Sequence, residues 1–155
     1  MNVNSRNWQD RMTDLLSSFQ GPLLLVIRLY WGWQFFEAGR GKFANMAHVV
    51  SFFQDLGIPL PALNACIVAT VETVGGLLLL IGLASRLAAL PLAATMGVAY
   101  VTAHLDSVRH IFSDPENFTK QDPFLFLLAV LLVMSFGPGI FSVDYILRKF
   151  FRKNS

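Results

Sequence analysis

Four long apolar blocks constrain the fold of this chain more than any other feature of its sequence. They cover residues 22–39, 62–84, 87–104 and 123–140. A helix needs about 20 mostly apolar residues to cross the hydrocarbon of a bilayer, with a range of about 17–25 and the longer ones tilted. The blocks therefore predict an all-α integral membrane protein built as a bundle of four transmembrane helices.

The composition agrees with this class. Hydrophobic residues make up 54% of the 155 residues and charged residues only 14%, whereas soluble domains carry about 25% charged residues. The net charge of +2 and the lack of a basic segment interleaved with aromatics argue against a nucleic-acid partner. The single cysteine, Cys66, excludes an intrachain disulfide. The three histidines, at positions 48, 104 and 110, are too scattered to predict a metal or haem site.

The ends of the chain predict helices that lie on the membrane surface. Near the N-terminus, apolar residues such as Trp8, Leu15 and Phe19 share one helical face, and near the C-terminus Ser142 is placed to cap a helix with a basic face. We therefore divide the chain into an amphipathic segment 1–21, a membrane domain 22–141 and a basic tail 142–155. Residues 43–56, ended by Gly57, predict a third amphipathic helix.

Prolines and basic residues predict where the spanning helices start and how they are oriented. Pro22, Pro61 and Pro123 each stand where a helix would open, since the first turn leaves its N–H groups unpaired. Basic residues favour the cytoplasmic side. With both termini inside, the inner segments hold Arg6, Arg11, Arg86, Arg148, Lys149, Arg152 and Lys153, and the outer segments hold Arg40, Lys42, Arg109 and Lys120. This excess predicts a multi-pass membrane protein with both termini in the cytoplasm.

Ionisable residues inside the apolar blocks are the first candidates for functional roles. A charge at the centre of a spanning helix costs about 2.5–3.5 kcal/mol on insertion scales, so it requires a partner or a function. Arg28 lies near the inner end of the first block, where its long side chain can snorkel towards the cytoplasm or pair with a carboxylate. Glu37 and Glu72 both fall in the outer half and can face each other, in which case they would not both be ionised.

These residues predict a polar pocket under the outer surface. Its candidate members for ligand or proton binding are Gln34, Glu37, Arg40, Lys42, Glu72 and His104. Carboxylates and histidine carry protons, and the neighbouring Trp31, Trp33 and Phe36 offer apolar walls, so a quinone or another small redox-active molecule is a candidate ligand. The alternative is structural, because a buried pair of Glu with Arg or Lys can simply fix the register of two helices.

The order and spacing of several short motifs resemble the DoxX family of small bacterial inner-membrane proteins. The resemblance rests on Arg28, AGRGKF at 38–43, FFQDLGIP at 52–59, ETVGGLLLLIGLASRLAAL at 72–90 and GPGIFSVDYIL at 137–147. It implies four transmembrane helices, and some members resemble subunits of thiosulfate:quinone oxidoreductase or belong to quinone- and thiol-stress systems. The matching positions include Lys42 and Glu72. They also include Arg28, Arg86 and Asp144, whose charges we expect to have structural roles. Glu37 and the HLDSVRH stretch at 104–110 look less like general features of the family.

Three classes of function therefore remain open. The first is a DoxX-like inner-membrane subunit of a quinone- or thiol-linked redox system, which would be an oxidoreductase subunit if it takes part in turnover. The second is a non-catalytic assembly or scaffolding subunit. The third is a small transporter, which is less favoured because four short helices leave little room for an aqueous path without oligomerisation. The lipid bilayer is one expected partner, and a partner protein or a second copy of the chain is another.

Overall fold

The computed structural model describes residues 8–153, and every regular element in that range is a helix. In chain order the helices are α1 Trp8–Ala44, α2 Met46–Asp55, α3 Pro61–Ile81, α4 Ser85–Ala103, α5 Leu105–Arg109, α6 Pro115–Thr119, α7 Pro123–Phe136 and α8 Val143–Lys153. The predicted all-α class is therefore confirmed for these residues. Arg6, which entered the orientation count, lies outside them.

Two of the three helix-opening prolines act as predicted. Pro61 and Pro123 occupy the first turns of α3 and α7. The prediction that a helix begins at Pro22 is wrong, because α1 runs without interruption for 37 residues and contains Pro22 in its interior. The N-terminal segment and the first apolar block are thus one helix. The amphipathic face predicted for the N-terminal segment depends partly on side chains outside the described part of the chain, among them Leu15 and Leu16.

The bundle is organised around two helix pairs, in which α1 packs along α3 and α4 packs along α7. Their shared core contains fully buried Phe35, Leu79, Leu92, Val130 and Val133. The α1–α3 contact is close because glycines meet at it. A Cβ atom on Gly76 of α3 would lie 2.8 Å from the carbonyl oxygen of Gly32 on α1, which is the close backbone approach that small residues permit between helices in membranes.

Among residues 8–153, two helices, α3 and α4, are long and apolar enough to cross a membrane, and α7 is a shorter apolar helix. The outward surface of the bundle is strongly apolar. On α1, for example, Val26 is 62% exposed and Tyr30 is 57% exposed. Large contiguous apolar surfaces of this kind mark contact with a membrane or a partner.

The two predicted amphipathic pieces that lie within the described residues are helical. Helix α2 falls inside the predicted 43–56 segment and is followed by Gly57, which has a φ of +70°. Helix α8 begins beside Ser142, whose Oγ accepts a hydrogen bond from the backbone N–H of Tyr145 at 3.1 Å. The predicted capping role of Ser142 is therefore confirmed.

Candidate functional site

A cavity of about 470 Å³ lies near the C-terminal end of α1, enclosed by α1, α2, α3, α4 and the start of α7. Its size falls in the range of about 300–1,000 Å³ that is usual for small-molecule sites. Most of its walls are apolar. The polar residues that line it are Lys42, Asn64, Glu72, Thr95, Thr102, His104 and Asp122. We call it the Lys42 cavity.

An ion pair between α1 and α3 forms one wall of this cavity. The Lys42 Nζ atom lies 2.5 Å from Glu72 Oε2, and the side chains are 28% and 3% exposed. Lys42 stands in the last turn of α1, one turn after Gly39, where a Cβ atom would overlap Thr73 of α3. The close approach at Gly39 therefore brings the short Glu72 side chain within reach of the lysine.

Aromatic side chains form the apolar walls. Phe35 of α1 and Phe126 of α7 meet edge to face, with ring centroids 4.7 Å apart, and both line the cavity. Phe52 and Phe53 of α2 line it from the other side. The cavity thus presents flat apolar surfaces together with a partly buried ion pair. This arrangement suits a flat and largely apolar ligand carrying a few polar atoms.

The structure brings three of the six predicted pocket residues together, since Lys42, Glu72 and His104 all line the Lys42 cavity. Glu37 and Arg40 do not line it. They pair with each other along the surface of α1, with Arg40 Nη2 at 2.9 Å from Glu37 Oε2. The suggestion that Glu37 faces Glu72 is therefore wrong, because Glu37 lies about 140° around the helix from Lys42.

Gln34 also lies outside the lining of the Lys42 cavity. It precedes Lys42 by about two turns and is rotated by roughly 80° from it. The ligand-binding role of these six residues stays a prediction, and the geometry concentrates it on three of them.

Sequence reasoning missed several lining residues, including Asn64, Thr95, Thr102 and Asp122. Thr95 and Thr102 are seven positions apart and so lie on one face of α4. Their hydroxyls donate to carbonyl oxygens of their own helix, at Leu92 and Val98. The seven-residue spacing was a signal in the sequence, but nothing in the sequence alone showed that this face meets α1 and α3.

Arg28 lies at the end of the bundle opposite the Lys42 cavity and is only 1% exposed. Its guanidinium donates to the carbonyl oxygens of Leu79 at 3.0 Å, Leu80 at 3.4 Å, Phe141 at 3.2 Å and also Pro138. The snorkelling prediction is therefore wrong. Arg28 binds carbonyl oxygens at the C-terminal end of α3 and ties them to the loop after α7, which is a structural role.

Asp144 and Arg86 hold the same end of the bundle. The Asp144 carboxylate accepts hydrogen bonds from the backbone N–H of Ala84 at 2.7 Å and of Ser85 at 3.0 Å, so it caps the start of α4 from another helix. Ala84 has a φ of +47°, which is costly for a residue with a side chain, and the carboxylate supports this turn. Arg86 Nη2 donates to the carbonyl oxygen of Ser135 at 3.3 Å.

We expect Asp144→Ala to lower the free energy of unfolding by about 1–2 kcal/mol, because two N–H groups at the start of α4 lose their acceptor. Thermal denaturation in detergent measures this loss. Asp106→Ala is the matched control, since the Asp106 side chain is 89% exposed and should change stability by less than about 0.5 kcal/mol. Equal losses in the two variants would contradict the capping role.

Comparisons with known proteins agree with the resemblance seen in the motifs. The sequence profile of the DoxX family matches residues 23–105, which is more than half of the chain. The chain belongs to the DoxX family. An uncharacterized membrane protein of Mycobacterium tuberculosis is 32% identical to it over 142 residues, covering 87% of each chain. With the all-helical fold, this DoxX membership identifies a helical membrane protein.

Two further relatives of this DoxX chain differ in coverage. An uncharacterized protein of Haemophilus influenzae is 27% identical over 139 residues, covering 87% of this chain and 89% of the relative. A Bacillus subtilis protein named "Putative oxidoreductase CatD" is 36% identical over 81 residues, and that match covers 52% of this chain and 59% of CatD. No solved structure matches the chain significantly.

Proposed function

We propose that this DoxX protein binds a small redox-active molecule of the quinone class in the Lys42 cavity, as a subunit of an inner-membrane redox system. The observation that carries the proposal is the partly buried Lys42–Glu72 pair on the wall of a largely apolar cavity. A quinone ring stacks on aromatic side chains, and its carbonyl oxygens accept hydrogen bonds. Lys42 is a donor for one carbonyl oxygen.

The same pair suits the chemistry of quinone reduction. Conversion to the hydroquinone takes up two electrons and two protons, and each proton is bound by one quinone oxygen. In the proposed function a partner redox protein supplies the electrons. Glu72 and His104 are side chains able to pass protons towards the cavity, as carboxylates and imidazoles do in other proton-transfer sites.

The proposal includes a four-span topology in which α1, α3, α4 and α7 cross the inner membrane and both termini are cytoplasmic. Gly21 and Lys42 are 21 positions apart on α1, which corresponds to about 31 Å and matches the thickness of the hydrocarbon. Helix α7 has 14 residues and is about 21 Å long, so residues 137–140 complete its crossing. The Lys42 cavity then faces the outer half of the membrane.

Quinone binding by purified protein tests this function. We expect the chain in detergent to bind a soluble ubiquinone or menaquinone analogue, measured by calorimetry, and Lys42→Met to weaken that binding about tenfold through loss of a charged donor. Glu72→Gln should weaken it as well, because it removes the group that orients the lysine. Glu37→Gln is the control, since Glu37 lies outside the cavity. A wild-type chain that binds neither analogue would overturn the proposal.

The second candidate is a non-catalytic assembly subunit, favoured by the fact that the Lys42–Glu72 pair joins α1 to α3 and so sets helix register. Under that function the pair contributes to stability alone. Glu72→Gln would then lower the melting temperature while the affinity for each quinone analogue stays equal to that of the wild type.

A further inference from the structure

A second cavity, of about 320 Å³, lies at the end of the bundle opposite the Lys42–Glu72 pair. It is enclosed by α1, the start of α4, the end of α7, the loop after it and α8. Its lining includes Arg86, Arg148, Ser17 and Gln20, and we call it the Arg86 cavity. Because Gly21 lines this cavity and Lys42 lines the other, the two sites are about 31 Å apart along α1. In the proposed four-span topology, on which this inference rests, they lie near opposite faces of the hydrocarbon layer, close to the level of lipid phosphates.

The Arg86 cavity is positively charged, and its donors are not all used. Asp144 also lines it, but both carboxylate oxygens already accept backbone N–H groups of α4. Arg86 Nη2 donates a hydrogen bond to the carbonyl oxygen of Ser135, and the guanidinium lies against Gly137. Within the part of the chain that the structure describes, the guanidinium of Arg148 has no hydrogen bond or ion pair. Two guanidinium groups thus remain available to an anion, and their planar forks match the oxygens of a phosphate.

An apolar rim adjoins these charges. Phe136 and Ile140 line the cavity and are 58% and 52% exposed. Phe141, the next residue in the loop, is 53% exposed. Such side chains gain by contact with hydrocarbon and gain nothing from a free ion in water. The cavity therefore offers a charged end and an apolar end to one ligand.

We propose that the Arg86 cavity binds the phosphate of an anionic phospholipid, with Arg86 and Arg148 contacting the headgroup and the acyl chains lying along Phe136 and Ile140. Helix α8 supports this assignment, because it carries Arg148, Lys149 and Arg152 on the same side of the bundle, where basic residues attract anionic lipids. The proposal does not depend on quinone binding in the Lys42 cavity.

Native mass spectrometry of the full chain in detergent, titrated with phosphatidylglycerol or phosphatidylcholine of the same acyl composition, tests the proposal. We expect phosphatidylglycerol to bind more tightly, and Arg86→Gln and Arg148→Gln each to weaken it about fivefold. The same variants should weaken phosphatidylcholine less, because its choline cation offsets the charge of the phosphate. Arg148→Lys should keep most of the binding. The matched control is Arg152→Gln, which removes an exposed charge of the same helix that does not line the cavity.

Three results would overturn the proposal. Equal affinities for the two lipids would show that the charge of the headgroup is not recognised. An equal loss in Arg152→Gln and Arg148→Gln would show that α8 attracts anions as a surface rather than through the cavity. Displacement of phosphatidylglycerol by millimolar inorganic phosphate would identify a soluble phosphate as the ligand. Arg148→Gln carries the test even if Arg86→Gln impairs folding, because Arg148 is exposed.

Discussion

Gly76→Leu is expected to lower the free energy of unfolding by about 3 kcal/mol or more. A Cβ atom at Gly76 would lie 2.6 Å from the backbone nitrogen of Phe36 and 2.8 Å from the carbonyl oxygen of Gly32. These are backbone atoms of α1 and cannot rotate away, so α1 and α3 must separate. The separation also disturbs the Lys42–Glu72 pair, which joins the same two helices. Thermal denaturation in detergent should show a fall in melting temperature of roughly 10 °C.

Gly97→Leu is the control for this experiment. Gly97 lies within α4, and a Cβ atom there would meet no other group within 4 Å. The same substitution is therefore expected to leave the melting temperature almost unchanged. If Gly97→Leu lowered it as much as Gly76→Leu, the loss would reflect a general effect of leucine in the bundle and the close α1–α3 contact would not be its cause.

Arg28→Met is expected to destabilise the protein by about 3–5 kcal/mol, in the range seen when one member of a buried polar arrangement is removed. The guanidinium donates hydrogen bonds to four carbonyl groups, at Leu79, Leu80, Pro138 and Phe141. Methionine fills a similar volume and donates to none of them. Thermal denaturation and the yield of folded protein after extraction measure the effect, which we expect to be larger than that of Asp144→Ala.

Arg40→Met is the matched control for Arg28→Met, because Arg40 lies on the same helix and its side chain is 66% exposed. Its pairing with Glu37 is worth at most about 0.5 kcal/mol. Arg28→Lys provides a second comparison, since a lysine keeps the charge but lacks the planar fork that reaches both the α3 carbonyls and the later loop. Full stability of Arg28→Met would contradict the proposed role of the guanidinium.

The sequence predicts the helical class and most helix limits because apolar length and proline positions are local signals. Pro61 and Pro123 open helices as expected. Pro22 misleads because a proline costs a helix one hydrogen bond and some steric strain, about 3 kcal/mol in isolation, which neighbouring groups can offset in membrane helices. The packing of α1 along α3 is a tertiary feature, and no local pattern around Pro22 reports it.

The candidate site is predictable in part for a similar reason. Counting residues along the apolar blocks gives the expected depth of Lys42 and Glu72 in the membrane, and it correctly predicts that the two residues lie at the same level of the bundle. It also places Glu37 near that level, but the rotation of α1 directs this side chain elsewhere. The rotation of α1 can be predicted only when the face that it packs against α3 is known. Here that face is defined by the glycine contacts at Gly32, Gly39 and Gly76.

The hydrogen bonds of Arg28 affect when the bundle can complete its folding during synthesis. Two of its acceptors, Pro138 and Phe141, are 110 and 113 positions further along the sequence. At roughly 5–20 residues per second, these acceptors emerge on the order of ten seconds after the arginine has been synthesised. During that interval water or lipid phosphate must satisfy its charge. We therefore expect the membrane domain to reach its final form only after the loop beyond α7 has been synthesised, so the docking of this loop on Arg28 completes folding of the bundle.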